Sequence, residues 1–422
     1  MSMISHTFRS FRTRNYRLFY LGQLVSLSGT ACQVVALSWV VYQLTDSAVS
    51  LGTVTGLSLL PMLLAGPWGG LLADRFDKRR LLIAANAFMA AIAVALATVT
   101  LLGRVEVWQL YFLAFLSGLG SAVEIPTRQS FVNEIVGPEQ LPNAIGLNSA
   151  MFNAGRIVGP AIAAGLLALA GNGWCFVANA VSFIAVIEAY RRMRPAELRP
   201  AKRSAAGRGQ MLAGVRYVWA EPVLRRTILL VGVVAFFSFN FPVILPVLAE
   251  RTYGGGAGLF SALTATMATG SVVGALLVAG RRRPTDRMLL VAGLTSGLVL
   301  LAAASTTSLF LVVPLLGLAG AAGISFFSTA NARIQLVAAG EVRGRVMALY
   351  TMVFLGSTPV GAPLVGWVVQ HFGAQVALGG GGLIAAGAVA VTLLPGALAE
   401  RRLARAEPNP ELDPVEAIPQ PA

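Results

Sequence analysis

The sequence predicts an all-α integral membrane protein. It has twelve transmembrane helices in two pseudo-symmetric six-helix halves, with the N- and C-termini in the cytoplasm. Three observations carry this. Of 422 residues, 56% are hydrophobic and only 12% charged, against roughly 45–50% and about 25% in a soluble chain, and the mean hydropathy is +0.72. Apolar runs of about 20 residues, the length that crosses a bilayer, fill nearly the whole chain. Lys plus Arg outnumber Asp plus Glu by 32 to 18, and the excess falls on alternate loops.

The N-terminal segment carries Arg9, Arg12, Arg14 and Arg17 and leads into a long apolar run. A cleaved signal peptide has an apolar core of only about 7–15 residues, so this run reads as the first span, 17–42. Spans 48–72, 81–102, 107–127, 143–170 and 173–190 complete an N-terminal half over 1–190. The polar stretch 191–226 is a cationic cytoplasmic linker, with a short amphipathic helix expected around 211–219 on the membrane face. Spans 227–249, 258–280, 288–304, 308–332, 346–369 and 375–394 form a C-terminal half over 227–395. Residues 396–422 hold Pro408, Pro410, Pro414, Pro419 and Pro421 among acids. Such a composition cannot bury apolar area and reads as a disordered cytoplasmic tail. Cys32 and Cys175 lie inside apolar spans and read as small buried hydrophobes.

With loops assigned alternately to two sides, 29 of the 32 basic residues fall on one side, only Arg104 and Arg251 on the other, and Arg156 within a span. Cytoplasmic loops of membrane proteins are enriched in Lys and Arg, so the rich side is cytoplasmic and the chain is a multi-pass protein of the cytoplasmic (inner) cell membrane. The positive charge is thus a topology signal and implies no nucleic-acid partner. A shift of 202 residues places Glu139 on Glu341, Leu147 on Leu349, Val158 on Val360 and Gly159 on Gly361, with Pro160 near Pro363. This weak internal repeat matches the repeated halves of secondary transporters, whose substrate sites lie between the repeats near the midplane.

Two motifs carry mechanism. Between spans 2 and 3 stands Gly70-Leu-Leu-Ala-Asp74-Arg75-Phe-Asp77-Lys78-Arg79-Arg80-Leu-Leu. It resembles the cytoplasmic helix 2–3 signature of the major facilitator superfamily, G-x-L-A-D-R-x-G-R-K/R-x-x-L, departing from it at Asp77. The resemblance implies the major facilitator fold and a gating role for Gly70, Asp74, Arg75, Asp77, Lys78 and Arg79. In physical terms Gly70 permits close helix approach, Asp74 caps or pairs across the boundary of the halves, and the basic residues anchor the loop. In span 5, Gly146, Gly155, Gly159 and Pro160 resemble the exporter-type motif G-x8-G-x3-G-P-x2-G-G, with Ala163-Ala164 for the last pair. The small residues allow close packing and Pro160 removes one backbone bond. With the sequence preceding the first motif, the chain is most similar to the enterobactin-exporter and macrolide and multidrug efflux branch of the superfamily, which implies export.

Three spans carry polar stripes at helical spacing: Gln23, Ser26, Thr30 and Gln33 in span 1; Ser117, Ser121, Glu124 and Arg128 in span 4; Gly146, Ser149, Asn153 and Arg156 in span 5. Lipid does not accommodate such faces, so they line a cavity or make contacts between helices. The family resemblance places spans 1, 4, 7 and 10 around the cavity, where Asn240 and Asn331 add polar groups. Phe237 and Phe326 are candidates for an apolar substrate wall. Intramembrane ionisable groups are functional by default, which singles out Glu124, Arg128 and Arg156. Either Glu124 is a proton-coupling carboxylate for which the two arginines compete, or the group is a static ion pair.

The chain contains no metal-ligand set, phosphate-binding loop or nucleophile elbow. The expected function is therefore non-enzymatic: a secondary transporter, needing no cofactor or metal and driven by a proton gradient. It exports small amphipathic molecules such as drug-like compounds or siderophores, within membrane lipid and as a monomer. A lipid or lysolipid mover of the same fold and a non-transporting receptor or scaffold are the alternatives.

Overall fold

A computed structural model of the chain describes residues 9–137, 139–199, 210–279, 281, 284–339 and 342–406. Its described residues contain twelve helices long and apolar enough to span a membrane. In the first half these are α1 (Arg14–Thr45), α2 (Ala48–Arg75), α3 (Lys78–Leu101), α4 (Val107–Val136), α5 (Leu141–Leu169) and α6 (Asn172–Arg191). The second half has α7, a broken span over Pro222–Thr252, then α8 (Gly256–Ala279), α9 (Asp286–Ala304), α10 (Leu309–Val337), α11 (Arg343–Phe372) and α12 (Ala374–Ala406). Between the halves a separate helix spans Gln210–Ala220, where the amphipathic linker helix is expected. Residues 200–209 fall outside the described set.

Several helices outrun their apolar cores. Helix α4 continues to Val136 and so contains Arg128 and Glu134, and α7 begins at Pro222, a favourable first-turn residue. Helix α12 reaches Ala406. Residues 396–406, expected to be disordered, are therefore helical, because Ala, Leu, Glu and Arg are strong helix formers and the prolines begin only at Pro408. Residues 407–422 lie outside the described set.

The internal repeat has a structural counterpart. Gly159 on α5 packs against Ser28, Ala31 and Cys32 of α1, while Gly361, its partner in the 202-residue shift, packs on α11 against Phe236 and Asn240 of α7. Each half thus presses its fifth helix onto its first through a glycine.

Apolar packing divides into one shared core and two separate ones. At the end away from the basic loops, a single cluster joins both halves, including Val35, Trp39 and Leu51 of the first and Leu245, Phe260 and Val369 of the second. At the basic end the halves have their own cores. Tyr16, Phe19, Leu82, Phe131 and Tyr190 form one; Leu224, Leu289, Phe326 and Tyr350 belong to the other. The halves are fused at the end away from the basic loops and part toward the basic end.

Candidate functional site

The seal at the end away from the basic loops is built from close helix contacts. A Cβ on Gly52 of α2 would collide with the Ala362 carbonyl of α11, and one on Gly366 of α11 with the Ala48 carbonyl of α2. The Ala48 amide also donates to Gln370 Oε1 at 2.8 Å. Trp39 of α1 stacks on Phe260 of α8 with ring centroids 6.1 Å apart, and Arg251 pairs with Asp46 beyond them. At the basic end, the ion pairs among described residues stay within one half: Lys78–Glu134, Arg192–Glu188 and Arg194–Glu197 in the first, Arg333–Asp286 in the second.

Beneath this seal lies a cavity of about 380 Å³, within the range of small-molecule sites. Its walls come from α1 (Val35, Ser38), α2 (Thr55), α5 (Arg156, Pro160), α7 (Phe239, Asn240, Phe241), α8 (Phe260, Thr264, Ser271) and α11 (Phe354, Thr358), with Gly320 of α10. The lining is aromatic and aliphatic, dotted with hydroxyls. Among the described residues, Arg156 is the one ionisable group lining it.

Of the residues expected to line a cavity, only Arg156 and Asn240 are in this wall; Pro160, expected as part of the helix 5 motif, joins them. Gln23 and Gln33 turn into the first half. Gln23 Nε2 donates to the Tyr190 hydroxyl at 2.6 Å, and Gln33 Oε1 accepts from Asn179 Nδ2 at 2.8 Å, so the α1 stripe is a contact with α6. Ser26 is buried and Thr30 half-buried on the same helix, outside the cavity lining. The cavity face of α1 is instead Ala31, Val34, Val35 and Ser38. Helix α4 contributes nothing to the lining: the Ser121 hydroxyl bonds back to the Ser117 carbonyl. Phe326 is fully buried in the second half's own core, and Phe237 sits beside Phe236, with its carbonyl against Gly381. The aromatic wall exists, but through Phe239, Phe241, Phe260 and Phe354. Asn331 accepts from Gln335 at an exposed point of α10.

Helix α5 supplies the route to the cavity. Arg156 lies fifteen residues into this 29-residue helix, about 22 Å along it at 1.5 Å per residue. One turn nearer the basic end, Asn153 Nδ2 donates to the Ser149 carbonyl in exposed surroundings. The face carrying Ser149, Asn153 and Arg156 therefore runs from the basic end into the cavity. Proline has no N–H for the carbonyl four residues back, so Pro160 leaves the Arg156 carbonyl without its helical donor. Among the described residues, no carboxylate pairs with the Arg156 side chain. The glycine motif splits in its roles: Gly155 meets Leu27 and Ser28 of α1 and Gly159 meets Ala31, whereas a Cβ on Gly146 would find nothing within 4 Å.

Helix α7 is interrupted beside the cavity. Phe239 (φ −112°, ψ 24°) and Asn240 (φ −99°, ψ 42°) leave helical geometry. Pro242 follows, lacking an N–H for the Ser238 carbonyl. Asn240 is fully buried; its Nδ2 donates to the Phe236 carbonyl at 2.7 Å, while its Oδ1 has no partner. Irregular backbone at membrane depth is tolerated where it lines a cavity.

Glu124 stands apart from this cavity. It is 8% exposed, and its Oε1 accepts from Arg128 Nε at 2.8 Å. Arg156 does not join the pair. Tyr190 of α6 faces the two charges, so the cluster ties α4 to α6 and, through Gln23, to α1.

The α2–α3 loop is a clasp within the first half. Asp77, the departure from the family signature, is the N-cap of α3 and accepts from the Arg80 amide at 2.7 Å. Lys78 pairs with Glu134 at the end of α4 at 2.6 Å. Arg79 donates to the Tyr190 and Arg191 carbonyls at 2.7 and 2.8 Å, a favourable place for a cation at the α6 C-terminus. Arg75 is exposed, and the Asp74 side chain lies outside the described set. Close approach falls on Gly69, whose Cβ would strike the Ala122 carbonyl; Gly70 has open space.

Residues 5–415 match the model of a family described as transmembrane secretion effector. The chain is 27% identical over 268 residues to the staphyloferrin A transporter of Staphylococcus aureus, covering 62% of this chain and 66% of that protein. It is 27% identical over 365 residues to the multidrug efflux pump Tap of Mycolicibacterium fortuitum, covering 83% and 88%. With the enterobactin exporter EntS of Escherichia coli O1:K1 / APEC it shares 25% identity over 362 residues, covering 83% and 84%. Among solved structures, a bacterial homologue of the human lysosomal transporter Spinster superposes with a TM-score of 0.68 at 17% identity, covering 94% of this chain and 99% of that one. A POT family transporter gives 0.75 at 10% identity, covering 90% and 96%.

Proposed function

The chain belongs to the transmembrane secretion effector family of the major facilitator superfamily and is an efflux transporter of the inner cell membrane, and we propose that it exports small amphipathic molecules by exchange with protons. Siderophores and drug-like compounds are the expected cargo classes, in line with relatives named for staphyloferrin A, enterobactin and multidrug efflux. The observation that carries the reading is the division of the core: one outer cluster shared by the halves, two separate clusters at the basic end. Such an arrangement loads a cavity from the cytoplasm and, by rocking the halves, unloads it outside. A scaffold has no need of the cavity.

Proton coupling is assigned to Glu124. Buried carboxylates paired with arginine change proton affinity when the partner leaves or water enters. The Glu124–Arg128 pair lies where α1, α4 and α6 meet, so a shift of these helices reaches it. Both termini face the cytoplasm on the evidence of the loop charges. The halves act together as a monomer within membrane lipid, requiring no cofactor beyond the proton gradient, and perform no enzymatic step.

The test is cellular accumulation of a macrolide and of catecholate and carboxylate siderophores, with and without the transporter. The account expects lower accumulation of at least one compound, abolished by a protonophore. Efflux that survives the protonophore would remove the proton assignment.

A further inference from the structure

The cavity has an unusual balance. Among the described residues lining it, the one charge is Arg156, and no described acid pairs with that charge. A guanidinium held at membrane depth without a counter-charge is costly, and an anion brought into the cavity offsets that cost with charge-assisted hydrogen bonds. On the other half, Asn240 belongs to the cavity wall but is fully buried, and its unpartnered amide oxygen has no open surface, so recognition falls on Arg156.

We propose that Arg156 makes this cavity a site for an anionic amphiphile, whose acidic group binds the guanidinium. Phe239, Phe241 and Phe260 hold the apolar body. The polar face of α5 leads the anion inward through Asn153 from the end that carries most of the basic residues, where positive potential concentrates anions. A cation of the same shape would meet Arg156 unscreened, so the site selects by repulsion as well as attraction. The inference deepens the export reading and takes the cavity as the transport site.

Binding of a matched trio tests it: anthracene-9-carboxylate, its methyl ester, and 9-(aminomethyl)anthracene. Fluorescence polarisation with the purified full chain in detergent, where no proton gradient exists, keeps the measurement independent of proton exchange. Failure of exchange leaves this result untouched, and loss of the preference leaves exchange untouched. The wild type is expected to bind the acid at least tenfold more tightly than ester or amine. R156Q is expected to lose that preference while still binding the ester, R156K to keep part of it, and R156E to favour the amine. Monodisperse elution of each variant establishes folding. The proposal is overturned if the wild type fails to bind the acid, if it binds the amine as tightly, or if R156Q and R156K both match wild type.

Discussion

At the outer end of the boundary between the halves, Arg251 donates two hydrogen bonds to Asp46, one to its carboxylate and one to its backbone carbonyl, each of 2.9 Å. Asp46 holds a left-handed conformation at φ 44°, which Asp tolerates better than most residues. The turn between α1 and α2 thereby presents the carboxylate to α7. The pair latches the outer seal. Because the Asp46 side chain is 78% exposed, its share is small: exposed pairs are worth about 1 kcal/mol or less. D46N should raise labelling of a cysteine at Ser38 by an impermeant maleimide from outside by about two- to fivefold. Unchanged labelling would dismiss the latch.

The same pair sets a pH expectation. The Arg251 hydrogen bond holds the Asp46 carboxyl below its ordinary value of 3.8. A depressed carboxylate contributes closure above its ordinary value and loses it only as pH falls through the lowered one. Between pH 5 and 8 the latch is constant, so D46N should leave the shape of the transport–pH profile unchanged. A profile that moves within this window would place a titrating group at the latch.

The α2–α11 seam gives a packing test. A Cβ at Gly52 would collide with the Ala362 carbonyl, whereas one at Gly66 on the same helix meets nothing within 4 Å. Overpacking a tight contact costs roughly 1–3 kcal/mol. G52A should lower the thermal unfolding midpoint in detergent, and G66A should leave it within error. Equal midpoints would refute the seam.

Asp77 can be tested by restoring the family residue. N-cap removal costs about 0.5–2 kcal/mol with Ala but only a few tenths with Gly. D77A should therefore destabilise measurably and D77G hardly at all. Equal losses would mean that Asp77 acts through its charge rather than as the cap of α3.

The architecture was legible because spans and basic loops leave strong, redundant signals. Loop charge alone orders twelve helices. The polar stripes were harder to read. Their periodicity identifies a face without saying which neighbour it meets, and Gln23 and Gln33 meet α6 where the family pattern suggested a cavity. The hydroxyls that do line the cavity are quiet in sequence. Thr55, Thr264 and Ser271 satisfy themselves on carbonyls four residues back, a habit of Ser and Thr in helices, and sit singly among apolar residues. The sequence does carry one signal for this wall: Asn240-Phe-Pro242 marks the α7 break, which brings Phe239 and Phe241, rather than Phe237, to the cavity. For close approach, Gly69 and Gly70 differ only by helical rotation, which neighbour packing alone decides.

Export is proposed to be exchanged for protons through Glu124. Its most direct measurement is proton movement in proteoliposomes enclosing a pH-sensitive dye, driven by an imposed substrate gradient at zero membrane potential. A macrolide, a catecholate siderophore and a carboxylate siderophore are each tried. The account predicts a lumenal pH change opposite in direction to substrate flux in wild type, and substrate flux without proton movement, or neither, in E124Q at equal protein incorporation. Substrate-driven proton movement of wild-type size in E124Q would contradict it.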